Sequence, residues 1–487
     1  MFGSAISLPR RPNRWTALSL IVAAQFMVVL DMSIVNVALA TIKGDLGFSE
    51  ASLQWVISAY AIVFGGFLLL GGRLADVLGR RRIFVAGIAL FTFGSALSGL
   101  AWSAASLVAF RGLQGLGGAL FAPAGLSLLM TTFKEGRERN TALGIWGAAS
   151  GAGGAVGVLL GGVMTSYLSW PWIFYINVPV GLALVLLVPR YLNESRAALA
   201  ERHFDVAGAI SSTSALMVLV YALTRATQDG WGSASTIILL ATSALLAAAF
   251  VAIERRATSP LLPFEVFRGT TLGTATVITV IVASIGFSQF FLLTLYLQQV
   301  LHYSAARTGL AFVAIAVTVA VTSNIAQRFV TRLGPRRVLA AGLVFAAVAE
   351  GLLVRLPVHA RYATDLLPSF ILIGAGIGVS FVSVTIAALA GVPARDAGIA
   401  SGLVNTARQV GGAVGLAGVT TIATIYATHR SVTESAAAGA THGFRVAFAT
   451  LAVLSIGGAV LTATMRVRRQ ETGAVESARD VALVEAA

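Results

Sequence analysis

The chain has 487 residues, of which 57% are hydrophobic and 11% charged, and its mean hydropathy is +0.86. Soluble domains carry roughly 25% charged residues, so a water-soluble fold is excluded and an all-α membrane protein is implied. The net charge is +14 and cysteine is absent; disulfides, thiol catalysis and thiolate metal sites are ruled out. The cations are concentrated in one set of loops, so nucleic acid is not implied as a partner.

Arg10, Arg11 and Arg14 precede an apolar run too long for a signal peptide, which is read as a retained first span. Apolar runs long enough to cross a bilayer follow along the chain. They predict spans at 16–39, 53–72, 83–101, 105–131, 141–165, 171–189, 206–224, 235–253, 271–297, 307–327, 337–355, 364–391, 400–426 and 442–465. Fourteen spans put both termini on one side. Segments on that side hold twenty-five Lys and Arg residues against seven on the other. Cationic loops resist translocation, so both termini are expected in the cytoplasm and the chain in the inner (cytoplasmic) membrane.

Between the second and third spans lies Gly71-Gly72-Arg73-Leu74-Ala75-Asp76-Val77-Leu78-Gly79-Arg80-Arg81-Arg82. A degraded copy, Gln327-Arg328-Phe329-Val330-Thr331-Arg332-Leu333-Gly334-Pro335-Arg336-Arg337, separates two later spans. Related loops in two halves indicate internal repetition, the mark of a transporter fold. The expected layout is a six-helix bundle over 1–189, a linker with two extra spans over 190–270, a second six-helix bundle over 271–465, and a cytoplasmic tail over 466–487.

The first loop resembles the G-x-L-a-D-r-x-G-r-r signature of the major facilitator superfamily, with Val77 where a basic residue is usual. Two bundles with a central pair resemble that superfamily's fourteen-helix drug:proton antiporters. The resemblance implies a gating loop built on Gly72, Asp76, Gly79, Arg80 and Arg81. It implies that Asp76 caps the start of span thirteen near Asp396-Ala397-Gly398, and that Arg80 reaches an acid after span four, Glu135 or Glu138. Such contacts lock one face of the transporter and break when it opens.

Four charged residues fall inside spans away from their ends: Asp31, Arg111, Glu350 and Arg408. A charge at the bilayer centre costs about 2.5–3.5 kcal/mol, so each needs a partner or a function. Asp31 stands in Leu30-Asp31-Met32-Ser33-Ile34-Val35-Asn36-Val37-Ala38-Leu39, which resembles the antiporters' first-helix motif with Ala40 in place of its closing proline. Arg111 opens Arg111-Gly112-Leu113-Gln114-Gly115-Leu116-Gly117-Gly118, which matches the superfamily's R-x-x-q-G-x-g-g motif associated with proton transfer. The first and fourth spans run antiparallel, so the two residues fall at comparable depth. A protonatable acid beside a fixed cation is a workable coupling device; the alternative is a structural ion pair. Glu350 is a candidate second proton site or a contact for a cationic substrate, or else an acid snorkelling outward with Arg355. Arg408 is expected at the inner gate, paired across to the first bundle, or else as helix-packing polarity.

The fifth span carries Gly153, Gly157, Gly161 and Gly162, and resembles the antiporters' glycine motif with Val158 at its proline. The turn Trp170 to Gly181 also matches the family, with Pro171 where an arginine is usual. Asn36, Gln54, Gln114, Ser288, Gln289, Tyr296, Gln298 and Asn405 are candidates for a substrate cavity walled by Phe287, Phe290 and Phe291. The expected function is proton-motive-force-driven efflux of lipophilic drugs or antibiotics in exchange for protons by alternating access. The alternative is a proton-linked exporter or symporter of one metabolite. No H-E-x-x-H motif, G-x-S-x-G in suitable context or G-x-x-x-x-G-K-[ST] loop occurs, so neither an enzyme nor an ATP-driven pump is expected. The expected partners are a small lipophilic molecule, protons and the bilayer, with no cofactor or metal and a monomeric state.

Overall fold

The computed structural model describes residues 13–48, 50–53, 55–196, 205–257, 262, 264–267, 271–393, 396–431 and 435–465. Gln54 and the 466–487 tail lie outside the described residues. Hydrocarbon offers no partner for backbone polar groups, so a chain this apolar satisfies them within helices. Among the described residues there is no strand. The long helices, numbered in chain order, are α1 Arg14–Leu46, α2 Trp55–Leu78, α3 Arg80–Gly99, α4 Ala104–Thr132, α5 Arg137–Tyr167, α6 Asn177–Tyr191 and α7 Val206–Asp229. They continue with α8 Ala234–Glu254, α9 Leu272–Leu295, α10 Ala305–Leu333, α11 Pro335–Leu353, α12 Leu367–Leu389, α13 Ala397–Ser431 and α14 Ala436–Thr462.

Thirteen described helical stretches are long and apolar enough to cross a membrane, one fewer than the sequence expectation. The long helix outside that set is α11, because its 19 residues include Arg336, Arg337 and Glu350. Two helices run through positions where the resembled motifs carry proline. The first, α1, begins where the Asn13 side chain accepts the Trp15 N–H, continues unbroken past Ala40, and stops at Gly47 in the left-handed region. The second, α5, is continuous through Val158.

Helices α1 to α6 pack on one another around Phe84, Phe91 and Phe121, whose rings meet edge to face. Helices α9 to α14 pack around Phe312, which stacks on Phe290 at 5.3 Å and leans on Phe370 at 5.7 Å. The two groups meet along two seams, α2 against α13 and α5 against α10. In each seam the second helix of one group meets the fifth of the other, the pattern of a chain related to itself by a pseudo-twofold axis.

The extra pair sits beside one seam. α7 packs on both α2 and α13, with Tyr221 against Trp55 at 5.7 Å. Trp231, in the turn after it, donates its indole N–H to Thr421 at 2.8 Å. α8 packs mainly on α7 and leaves Ile237, Ile238 and Leu245 exposed. An apolar face of that kind is solvated by acyl chains.

Candidate functional site

Asp31 and Arg111 meet as the antiparallel reading requires. Arg111 Nη1 donates to Asp31 Oδ2 at 2.7 Å, and the residues are 0% and 1% exposed. Asp31 Oδ1 accepts two further bonds, from Gln114 Nε2 at 2.8 Å and Asn177 Nδ2 at 2.9 Å. Arg111 also donates from Nε to the Val56 carbonyl at 3.1 Å and from Nη1 to Gln114 Oε1 at 2.6 Å. The Gln114 amide has one workable orientation, since a carboxylate only accepts and a guanidinium only donates. The ring of Tyr60 lies 4.4 Å from the guanidinium carbon and that of Phe174 lies 5.6 Å away. Asn177 and the Phe174 carbonyl are tied together through Ser95. Each charge of this pair is therefore paired and hydrogen-bonded, and removing either partner strands the other in a dry interior.

This network lies wholly within the first six-helix group. Gln114, put forward for the cavity, is sealed at 0% exposure as a partner of Asp31. Asn177 and Ser95 are additions. Asn177 sits in the turn motif between the fifth and sixth spans, but spacing alone does not say which way its side chain turns.

A groove of about 570 Å³ runs along α1 from Trp15 to Leu30, walled by Ile145 and Leu160 of α5 and Val180 of α6. Its lining is apolar apart from Ser19 and Asn177, and Asn177 is the residue whose amide holds Asp31. The groove therefore reaches the network from the side of the first group, and none of its lining belongs to the second group.

At the arginine-rich end, Asp76 is 0% exposed and its Oδ2 accepts the N–H of Ile399, in the first turn of α13, at 3.2 Å. Gly72 and Gly398 face each other closely enough that a Cβ on Gly72 would strike the Gly398 carbonyl, and one on Gly398 would strike the Asp76 carboxylate. Arg80 turns back one helical turn onto Asp76 Oδ1, at 2.7 Å from Nη2 and 2.9 Å from Nε. Of the two acids put forward for Arg80, Glu138 meets Arg14 at 2.9 Å instead. Glu135 reaches the Gly391 N–H of the second group at 3.4 Å. Arg81 anchors the loop to the chain beyond α6. Its N–H donates to Glu194 Oε1 at 3.0 Å and its guanidinium to the carbonyls of Pro189 and Leu192. Glu194 is a partner of this loop that sequence reasoning missed. Gly79 turns with φ 117°, and a Cβ there would stand 2.8 Å from the Glu194 carboxylate.

The second copy of the loop is weaker. Gly334 repeats the turn with φ 83°. Thr331 holds the place of Asp76 and meets Asn140 at the start of α5 at 3.5 Å. Gln327, in the place of Gly72, packs on Gly144.

Arg408 is separated from the gating loop. It lies roughly 16 Å along α13 from Ala397, with its guanidinium over the rings of Trp146 and Phe381. It does reach the first group, but through an indole rather than an acid. Glu350 is buried at 0% exposure, and its Oε2 accepts from Ser455 at 2.9 Å. Its other oxygen has no partner among the described residues.

The remaining cavity candidates divide. Asn36 is exposed and bonded to its own helix. Gln289 and Ser288 are buried with unpartnered oxygens, and Gln289 lines a void of about 10 Å³ with Ser380 and Phe381. Asn405 is buried, donates to the Ser401 carbonyl at 2.9 Å and accepts from Arg408. Tyr296 is corrected to core: it is 0% exposed, packs on Phe444 and donates to the Pro357 carbonyl at 2.6 Å.

The glycines of α5 form two faces. Gly153, Gly157 and Gly161 lie against Val29, Leu30 and Ile34 of α1, while Gly151 faces Val319 of α10 and Gly154 faces Phe290. Gly162 is buried. Among the described residues no three His, Asp or Glu side chains are grouped for a metal ion.

The Major Facilitator Superfamily sequence model matches residues 21–416. The puromycin resistance protein pur8 of Streptomyces alboniger is 42% identical over 93% of this chain and 91% of its own. The cephamycin export protein CmcT of Amycolatopsis lactamdurans is 39% identical over 92% and 91%. The tetracenomycin C resistance and export protein of Streptomyces glaucescens is 36% identical over 84% and 75%. Among solved structures, the human organic anion transporter MFSD10 (TETRAN) superposes with a TM-score of 0.62 over 93% of this chain and 100% of that one; at 15% identity the likeness is one of fold. The seams, the repeated loop and the family match agree, and the chain belongs to the major facilitator superfamily, with antibiotic resistance and export proteins among its relatives.

Proposed function

We propose that this protein exports lipophilic drugs or antibiotics across the cytoplasmic membrane in exchange for protons, by alternating access. The observation that carries the reading is the 2.7 Å Asp31–Arg111 pair, sealed inside a spanning bundle where an unpaired charge is costly. Relatives named for puromycin resistance and for cephamycin and tetracenomycin C export support an antibiotic-like cargo. Export of one compound rather than many is the second reading, favoured by relatives each named for a single substance.

We count α11 as the fourteenth crossing, since it packs on α12 and α14 along its length. Both termini are then cytoplasmic, residues 1–189 and 271–465 are the moving halves, and 190–270 carries the extra pair. The proton acts within the first half. When Asp31 takes a proton, Arg111 loses its counter-charge and α1, α4 and α6 are held less tightly. α5 passes the change on, since it packs through glycines on α1 by one face and on α10 by another. Glu350 is a second candidate carrier. The lock at Asp76 releases when the arginine-rich face opens.

The test is dye efflux assayed in inverted vesicles under an imposed pH gradient. Wild type accumulates dye as the gradient is applied, and Asp31→Asn does not. Undiminished gradient-driven transport by the variant removes Asp31 from the mechanism.

A further inference from the structure

Arg408 is a buried charge that the proton cycle does not use. It is 7% exposed and lies about a third of the way along α13, roughly 16 Å from Ala397. Nη1 donates to Asn405 Oδ1 at 3.3 Å, while Nε and Nη2 find no acceptor among the described residues. Two rings flank it, Trp146 at 5.0 Å and Phe381 at 5.4 Å. Trp146 comes from α5 of the first group; Phe381 and Arg408 come from the second. The guanidinium therefore stands where the groups meet, with two donors idle.

A buried cation in that state is destabilising unless some step of the cycle supplies an anion. The chemistry of that anion is specified by what is present. A guanidinium presents a planar fork of N–H groups that matches a carboxylate in two parallel bonds. The two rings already pack on the guanidinium and Trp146 is 1% exposed, so an aromatic or alicyclic body meets these flat apolar faces only when the two groups part. Every acid with a resolved ion pair among the described residues lies elsewhere: Asp31 with Arg111, Asp76 with Arg80, Glu138 with Arg14, Glu135 with Arg139, Glu194 with Arg81 and Asp229 with Arg225.

We propose that Arg408 recognises a carboxylate on the transported molecule, whose apolar body lies against Trp146 and Phe381. The substrate class is a lipophilic organic acid. The proposal rests on the export reading for what happens after binding, but the binding step can be measured without transport.

The experiment uses the full chain in nanodiscs of phosphatidylcholine alone, so that no anionic headgroup competes. Binding of 1-pyrenebutyrate and of its neutral amide is followed by pyrene fluorescence, with empty nanodiscs subtracted. Wild type is expected to bind the acid about tenfold or more tightly than the amide. In Arg408→Gln the two affinities fall within about twofold of each other, and Arg408→Lys, a point charge without the fork, lies between. The ratio is taken within one preparation, so a general loss of folded protein cancels; if Arg408→Gln does not fold, the lysine variant carries the comparison. Equal binding of acid and amide by wild type overturns the proposal. So does an undiminished preference in Arg408→Gln, which would assign the anion to another site. If the preference holds while no pH-driven efflux is seen, the export reading fails and this site stands. Efflux without the preference has the opposite meaning.

Discussion

Asp76 Oδ2 accepts the N–H of Ile399 at 3.2 Å, and this bond ties the loop after α2 to the first turn of α13. Its pseudo-symmetric counterpart is the 3.5 Å approach of Asn140 to Thr331. A carboxylate at a helix N-terminus gains from both the hydrogen bond and the aligned backbone dipoles, and a neutral hydroxyl gains little. The lock at the arginine-rich end is therefore one-sided.

That asymmetry can be read out because the chain has no cysteine. Ser401 is 0% exposed, two residues beyond Ile399. Single-cysteine Ser401→Cys protein should label slowly with N-ethylmaleimide. Adding Asp76→Asn should speed labelling by about tenfold, the equivalent of roughly 1.4 kcal/mol. Adding Thr331→Val should change it little. Equal effects of the two substitutions would show a symmetric gate.

The Asp31–Arg111 pair separates structural from mechanistic roles in a double-mutant comparison. Asp31→Asn leaves Arg111 buried without its counter-charge and should destabilise by about 3–5 kcal/mol. Adding Arg111→Gln removes the stranded charge, so the double variant should melt above the single one. Stability recovers, but no titratable group has been restored, so gradient-driven transport stays absent. A double variant that transports would make the pair a structural tie only. Melting by tryptophan fluorescence and efflux from vesicles are the two measurements.

Glu350 should respond in the opposite sense. It accepts from Ser455 and has no ion pair among the described residues. Glu350→Gln keeps the shape and can still accept from Ser455, so its stability should stay within about 1 kcal/mol of wild type. Transport that falls without a change in melting temperature would give Glu350 a role in proton movement. Unchanged transport would leave it a buried acid serving only α11 and α14.

What could be read ahead of the structure follows from how few solutions hydrocarbon permits. Backbone satisfaction forces helices, which made the long spans legible, and antiparallel depth brought Asp31 to Arg111. The loop glycines were legible because Gly79 needs a positive φ and Gly72 a close approach. Helix rotation was not legible: in a chain apolar on nearly every face, periodicity does not separate a cavity from a bundle interior. Gln114 and Tyr296 were accordingly put forward for a cavity, and both are packed at 0% exposure within their own bundles. Nor could spacing pair Arg80 with Asp76, or find Glu194, since several acids compete for each arginine and tertiary approach decides among them. α11 falls outside the apolar spans because Arg336, Arg337 and Glu350 crowd three charges into 19 residues, while packing still holds it in the second group.

The two glycine faces of α5 give a prediction in which neighbouring residues behave differently. A Cβ on Gly157 would strike Ser33 Oγ and stand 2.7 Å from the Leu30 carbonyl. Those residues flank Asp31 on α1, and a backbone carbonyl cannot swing aside as a side chain does. Gly157→Ala should push α1 from α5 and destabilise by about 1–3 kcal/mol. It should also lower gradient-driven transport, because the displaced turn of α1 carries the acid. At Gly154, three residues earlier, the nearest atom to a new Cβ is Phe290 Cζ at 4.0 Å, an ordinary contact across to the second group. Gly154→Ala should therefore melt within about 0.5 kcal/mol of wild type and transport normally. If both substitutions slow transport equally while melting alike, the helix works through its overall flexibility, and the contact between α5 and the acid-bearing helix has no special part in coupling.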